Sequence, residues 1–139
     1  MLNLAPETVT LLARIAFLVA AVTDGLALVP MLIPRVGSAM FGGDSSRNSP
    51  QYRYAMNLAA SLMAGWTVIL FWAAVEPIDR RDVLLIVVCP SILGIVAASV
   101  AAARRGVIQL RRMVPLWIHL AVLSGYCLLV YALSCLLVS

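Results

Sequence analysis

Four apolar runs, separated by short clusters of charge and turn-forming residues, make up most of this chain. They fall at about residues 9–33, 54–75, 83–103 and 113–138. Each is long enough to cross a hydrocarbon core of about 30 Å at about 1.5 Å rise per residue. Inside lipid the backbone must satisfy its own hydrogen-bonding groups, so each run predicts a helix. The pattern predicts an all-α polytopic membrane protein. Its four transmembrane helices form an up-down bundle, and residues 1–139 form a single integral membrane domain.

The second run is the most regular. No charge interrupts Tyr54 to Val75, and Tyr52, Tyr54 and Trp72 stand near its ends, where amphipathic rings favour the headgroup level. Asn57, Ser61, Ala64, Gly65 and Val68 recur at three- and four-residue steps and share one face. Small residues there, Ser61 and Gly65 above all, let another helix approach closely. Leu62, Met63, Trp66 and Ile69 lie opposite and suit lipid. The third run carries a comparable face in Ser91, Gly94, Ala98 and Ala101, which is expected to mate with Ser61 and Gly65. Pro90 is expected to kink that run, because its ring removes one backbone bond.

The connections are short except for the first. Residues 34–53 read as a loop, exposed from Gly42 to Pro50, with Val36 to Phe41 a short turn dipping Met40 and Phe41 into the headgroups. Glu76 to Asp82 predicts a tight hairpin, with Pro77 setting the turn and Asp79 capping the third helix or offsetting Arg80 and Arg81. Residues 1–9 lack the basic n-region of a signal peptide, so the first run is expected to be retained.

Composition reinforces this picture. At 63% hydrophobic and 12% charged over 139 residues, a soluble domain could not hide its apolar surface. All ten basic residues are arginines, giving a formal charge of +4. Seven of them (Arg35, Arg47, Arg53, Arg104, Arg105, Arg111 and Arg112) fall in the first and third connections, against three elsewhere. The positive-inside rule then places loops 34–53 and 104–112 in the cytoplasm and both termini outside, in a bacterial inner membrane. This charge explains topology and contact with membrane lipids, and no nucleic-acid partner is expected. Cys89, Cys127 and Cys135 sit inside apolar runs without a CxxC pair, which suits inert packing thiols.

Candidate chemistry is sparse. Asp24 lies well inside the first run, where an ionisable side chain costs at least about 2.5–3.5 kcal/mol and therefore faces protein or water. It reads either as a proton- or cation-binding carboxylate or as a structural acid locking helix packing. His119, the one histidine, lies toward the start of the fourth run. Asp24, Asn57 and His119 could therefore meet at similar depth and form a binding site. Arg14 is expected to snorkel to the headgroups or to pair with Glu7, Asp79 or Asp82. No nucleophile triad, nucleotide loop or metal-ligand set is present, so no cofactor and no metal are expected.

The stretch Leu12-Ala13-Arg14-Ile15-Ala16 followed by Asp24-Gly25 resembles the DoxX-like four-helix bacterial membrane proteins. The run from Tyr52-Arg53-Tyr54-Ala55-Met56 to Gly65-Trp66-Thr67, then Pro77 and Arg80-Arg81, is similar to small bacterial inner-membrane families. The resemblance implies the four-helix fold and brings no catalytic residue. The function expected is that of an interaction or accessory subunit, a homo-oligomer or part of a membrane complex. A proton-coupled transporter or small-molecule binder using Asp24 is the alternative, with an intramembrane lipid-modifying enzyme third.

Overall fold

The computed structural model describes residues 5–41, 49–106 and 110–138, and every regular element among them is helical. They are α1 (Pro6–Leu32), α2 (Pro34–Phe41), α3 (Pro50–Val75), α4 (Asp82–Arg104) and α5 (Leu110–Val138). Four of these, α1, α3, α4 and α5, are long and apolar enough to span a membrane, so the chain is a multi-pass membrane protein.

The helix ends follow local chemistry and run past the apolar runs. Pro6 opens α1 at a position where a missing N–H costs nothing, and Glu7 in the first turn suits the helix dipole. At the other end Ile33 is extended, with φ −109° and ψ 97°, as the residue before a proline prefers. Pro34 then begins α2, an eight-residue helix that replaces the expected turn at Val36 to Phe41. Likewise α3 starts inside the expected loop. The Ser49 hydroxyl accepts the Tyr52 N–H at 3.2 Å, and Pro50 follows at the first helical position. The expected loop at Gly42 to Asn48 lies outside the described residues.

Two glycine and proline details shape the ends of α1 and the middle of α4. A Cβ on Gly37 would lie 2.6 Å from the Pro30 carbonyl oxygen, so only glycine lets α2 fold this closely onto α1. Gly37→Ala is expected to push α2 off α1 at a cost of about 1–3 kcal/mol. Hydrogen–deuterium exchange at residues 34–41 should accelerate, while Gly65→Ala, with open space around it, should leave that segment unchanged. In α4, Pro90 produces a π-helical turn over Val87–Ile92 rather than a simple kink. The ring removes the N–H that would have reached the Ile86 carbonyl, and the Ser91 hydroxyl donates to that carbonyl at 3.3 Å.

The main packing runs α3 on α1, α1 on α5, and α5 on α4. Alanines dominate the buried positions of both α1 and α3: Ala13, Ala16, Ala20 and Ala21 on α1, and Ala60, Ala73 and Ala74 on α3. Small side chains bring the two backbones together, which is the source of helix association in lipid. Phe17, Leu70, Leu84, Cys127 and Val130 complete one core, each inaccessible to solvent.

That core is concentrated at the end of the bundle nearest the α3–α4 hairpin. The buried residues of α1 stop at Ala21, and α4 has none from Leu93 to Arg104. Toward the arginine-rich end the packing loosens.

This arrangement corrects the expected mating of the two small-residue faces. Ser61 and Gly65 on α3, and Gly94 and Ala98 on α4, are all exposed, with nothing near Gly65 or Gly94. Part of the opposite face of α3 turns inward instead: Trp66 packs against the core and Met63 is half-buried, whereas Leu62 stays exposed.

The hairpin end is closed by arginines in roles the sequence did not indicate. The final carbonyls of a helix lack intrahelical donors. At the end of α3, Arg14 Nε donates to the Ala74 carbonyl at 3.2 Å and its Nη2 to Val75 at 3.5 Å. Arg80 donates to the Trp72 carbonyl, pairs with Glu76, and lies 3.8 Å from the centre of the Trp72 ring. Both cations also favour the negative end of the helix dipole. Asp79 does not cap the next helix. Its N-cap is Arg81, which makes no side-chain capping bond.

Candidate functional site

Asp24 lies eight residues before the end of α1, about 12 Å of helix from that end and so within the apolar span. It is half-buried, and among the described residues its carboxyl has no hydrogen bond or ion pair. It stands where the tight core ends, three residues past Ala21, with the looser half of the bundle beyond it. Gly25, next in sequence, faces α3 near Thr67, whose methyl would lie 4.0 Å from an added Cβ. The alanines at three- and four-residue helical spacing from Asp24 divide in the same way. Ala16 and Ala20 are buried, and Ala27 is half-buried.

His119 does come to this depth, on α5, but its bonded partner is Thr23. The Thr23 Oγ1 lies 3.3 Å from His119 Nε2 and donates to the Val19 carbonyl at 2.8 Å. A hydroxyl has one proton to give, so with that proton on Val19 its oxygen accepts from the His119 Nε2–H. His119 itself is exposed on α5. Thr23 and Asp24 are adjacent on α1, and consecutive helical positions point about 100° apart. The same helix thus presents a hydroxyl to His119 and a carboxyl beside it.

Asn57 does not join them. It is exposed on α3, and its backbone carbonyl accepts the Ser61 hydroxyl at 3.0 Å. No hydrogen bond or ion pair links Asp24 with Asn57 or His119 among the described residues. The contact the structure makes is between Thr23 and His119, with Asp24 next to Thr23 in sequence. Thr23 was missed because a threonine in a helix ordinarily bonds its own preceding turn, and this one does that as well.

Two further contacts fix the frame around the site. The Tyr126 hydroxyl donates to the Leu12 carbonyl at 3.0 Å, tying α5 to α1 toward the hairpin end. At the other end Trp117 has its indole Nε1 buried without a hydrogen-bond partner among the described residues. The cysteines are free thiols, with Cys127 in the core, Cys135 half-buried and Cys89 exposed.

Chemically, the arrangement offers an uncompensated carboxyl, an imidazole within hydrogen-bonding distance of the neighbouring Thr23 hydroxyl, and a loosened half-bundle leading toward the arginine-rich surface. Such a set can hold a proton or a small cation. In comparisons with protein-family models, with curated proteins and with solved structures, no match to this chain was found.

Proposed function

We propose that the protein is an interaction subunit of a bacterial inner membrane, docking a second transmembrane chain through its two small-residue faces. The observation that carries this reading is the exposure of Ser61 and Gly65 on α3 and of Gly94 and Ala98 on α4. Glycine inside an exposed helix costs about 1 kcal/mol relative to alanine. Close approach by another helix returns that cost as dispersion contact, and lipid chains do so less well. The faces lie on α3 and α4 and are left uncovered by the chain's own packing, so each offers a docking surface. By the arginine excess, loops 34–53 and 104–112 face the cytoplasm and the termini face outward. The resemblance of the first span to DoxX-like proteins belongs to the same reading.

The test is native mass spectrometry of protein gently extracted from its own membrane. A homo-oligomer or a stoichiometric second polypeptide is expected. Gly65→Ile or Gly94→Ile should release the monomer while helical circular dichroism stays unchanged. A wild-type monomer with no companion chain overturns the reading.

Asp24 favours a second reading, a proton-coupled transporter or small-molecule binder. A half-buried carboxyl without a partner inside a span is what such a coupling site requires. In that case Asp24→Asn abolishes pH-dependent binding or flux and leaves the folded protein in the membrane.

A further inference from the structure

At the arginine-rich end of α4, an open groove of about 450 Å³ is lined by Ala97, Val100, Ala101, Arg104 and Arg105. That volume falls within the range of about 300–1,000 Å³ in which small ligands are held. We propose that this groove seats an anionic phospholipid, with Arg104 and Arg105 holding its phosphate and the alanine-lined wall receiving the start of its acyl chains.

Four observations support this. Both arginines are exposed, and neither side chain has a hydrogen bond or ion pair among the described residues. Capping does not occupy them either, because backbone groups close the helix. The Arg105 N–H donates to Ala101 at 3.2 Å and the Gly106 N–H to Ala103 at 3.0 Å, with Gly106 at φ +69° turning the chain away. No described carboxylate can neutralise them. Glu7, Glu76, Asp79 and Asp82 all lie at the opposite, hairpin end, and Asp24 is within its span. Among the described residues, both guanidiniums are thus left open to an added anion. The helix terminus opposes an anion with only about half a negative charge, which two guanidiniums outweigh.

The groove is also amphipathic in the right direction. Ala97 lies seven residues before Arg104, about 10 Å deeper along the span, so the cationic end meets the headgroup level and the apolar wall the hydrocarbon. A free phosphate would use the arginines and leave the wall empty. Basic pockets at the cytoplasmic ends of spans are suited to anionic headgroups.

The experiment is native mass spectrometry of the delipidated full chain. Dioleoyl phosphatidylglycerol, dioleoyl phosphatidylcholine or inorganic phosphate is added to it. The wild type is expected to retain one phosphatidylglycerol over phosphatidylcholine by about tenfold or more, the scale set by two membrane-facing arginines. Inorganic phosphate should not displace it. Arg104→Gln with Arg105→Gln should remove the preference. Ala97→Leu should weaken it with both charges intact. Arg35→Gln with Arg53→Gln removes equal charge from the same membrane side and should retain the preference. Equal loss in that control pair would mean diffuse attraction and overturn the site. Displacement by inorganic phosphate would overturn the lipid as its occupant.

Discussion

Phe17→Ala is expected to destabilise the bundle by about 3–5 kcal/mol, the range for emptying a fully enclosed aromatic site. Phe17 is wholly inaccessible, packed among the α1 alanines, Leu70 and the α5 core residues. The hydrophobic effect contributes little between helices in lipid, so the loss is one of dispersion contacts with the cavity wall. Reversible unfolding in mixed micelles measures it. The matched control is Leu62→Ala on α3, whose side chain is 71% exposed and faces lipid; the expected change there is within about 0.5 kcal/mol. A small effect at Phe17 would mean that the hairpin-end core does not hold the helices together.

That contrast shows what the sequence could and could not convey. The four spans were legible because uninterrupted apolar length is a strong signal and the bilayer allows only one backbone solution. Their ends were partly legible. Ser49-Pro50 and Pro34 are start signals for helices, yet they lie in stretches whose polarity argued for loop. Which face turns inward was not legible on α3. A helix apolar all round gives no periodic contrast, so Ser61 and Gly65 drew attention as the small residues. The buried positions of α1 and α3 are instead mostly alanines, with Leu70 buried among the same core.

The site was legible in the same uneven way. Asp24 and His119 stand out as rare ionisable groups in apolar runs, and antiparallel helices bring them to one end of the bundle. Partners depend on rotation about each helix axis, which spacing alone does not give. Thus His119 meets Thr23, and Asn57 turns away to lipid. Arg14 shows the same limit. Its depth suggested snorkelling, but the free carbonyls of α3 lie within reach across the helix pair and bind it first.

Asp24→Leu is expected to lower the cost of inserting α1 by about 3 kcal/mol, the difference between the two side chains at helix-centre depth. The reason is the absence of any ion pair or hydrogen bond to its carboxyl among the described residues. Removing a paired acid would strand a partner and destabilise the fold; removing an unpaired one strands nothing. Asp24→Asn, which keeps size and shape, should therefore remain inserted and folded. Glycosylation mapping of the isolated α1 span and unfolding of the whole protein in micelles read the two effects separately. If Asp24→Asn inserts normally but loses its oligomer or companion chain, the carboxyl is bonded across an interface, and the acid belongs to assembly. If assembly persists while pH-dependent binding or flux disappears, the acid carries the proton. Loss of the folded monomer itself would contradict the unpaired carboxyl on which both outcomes depend.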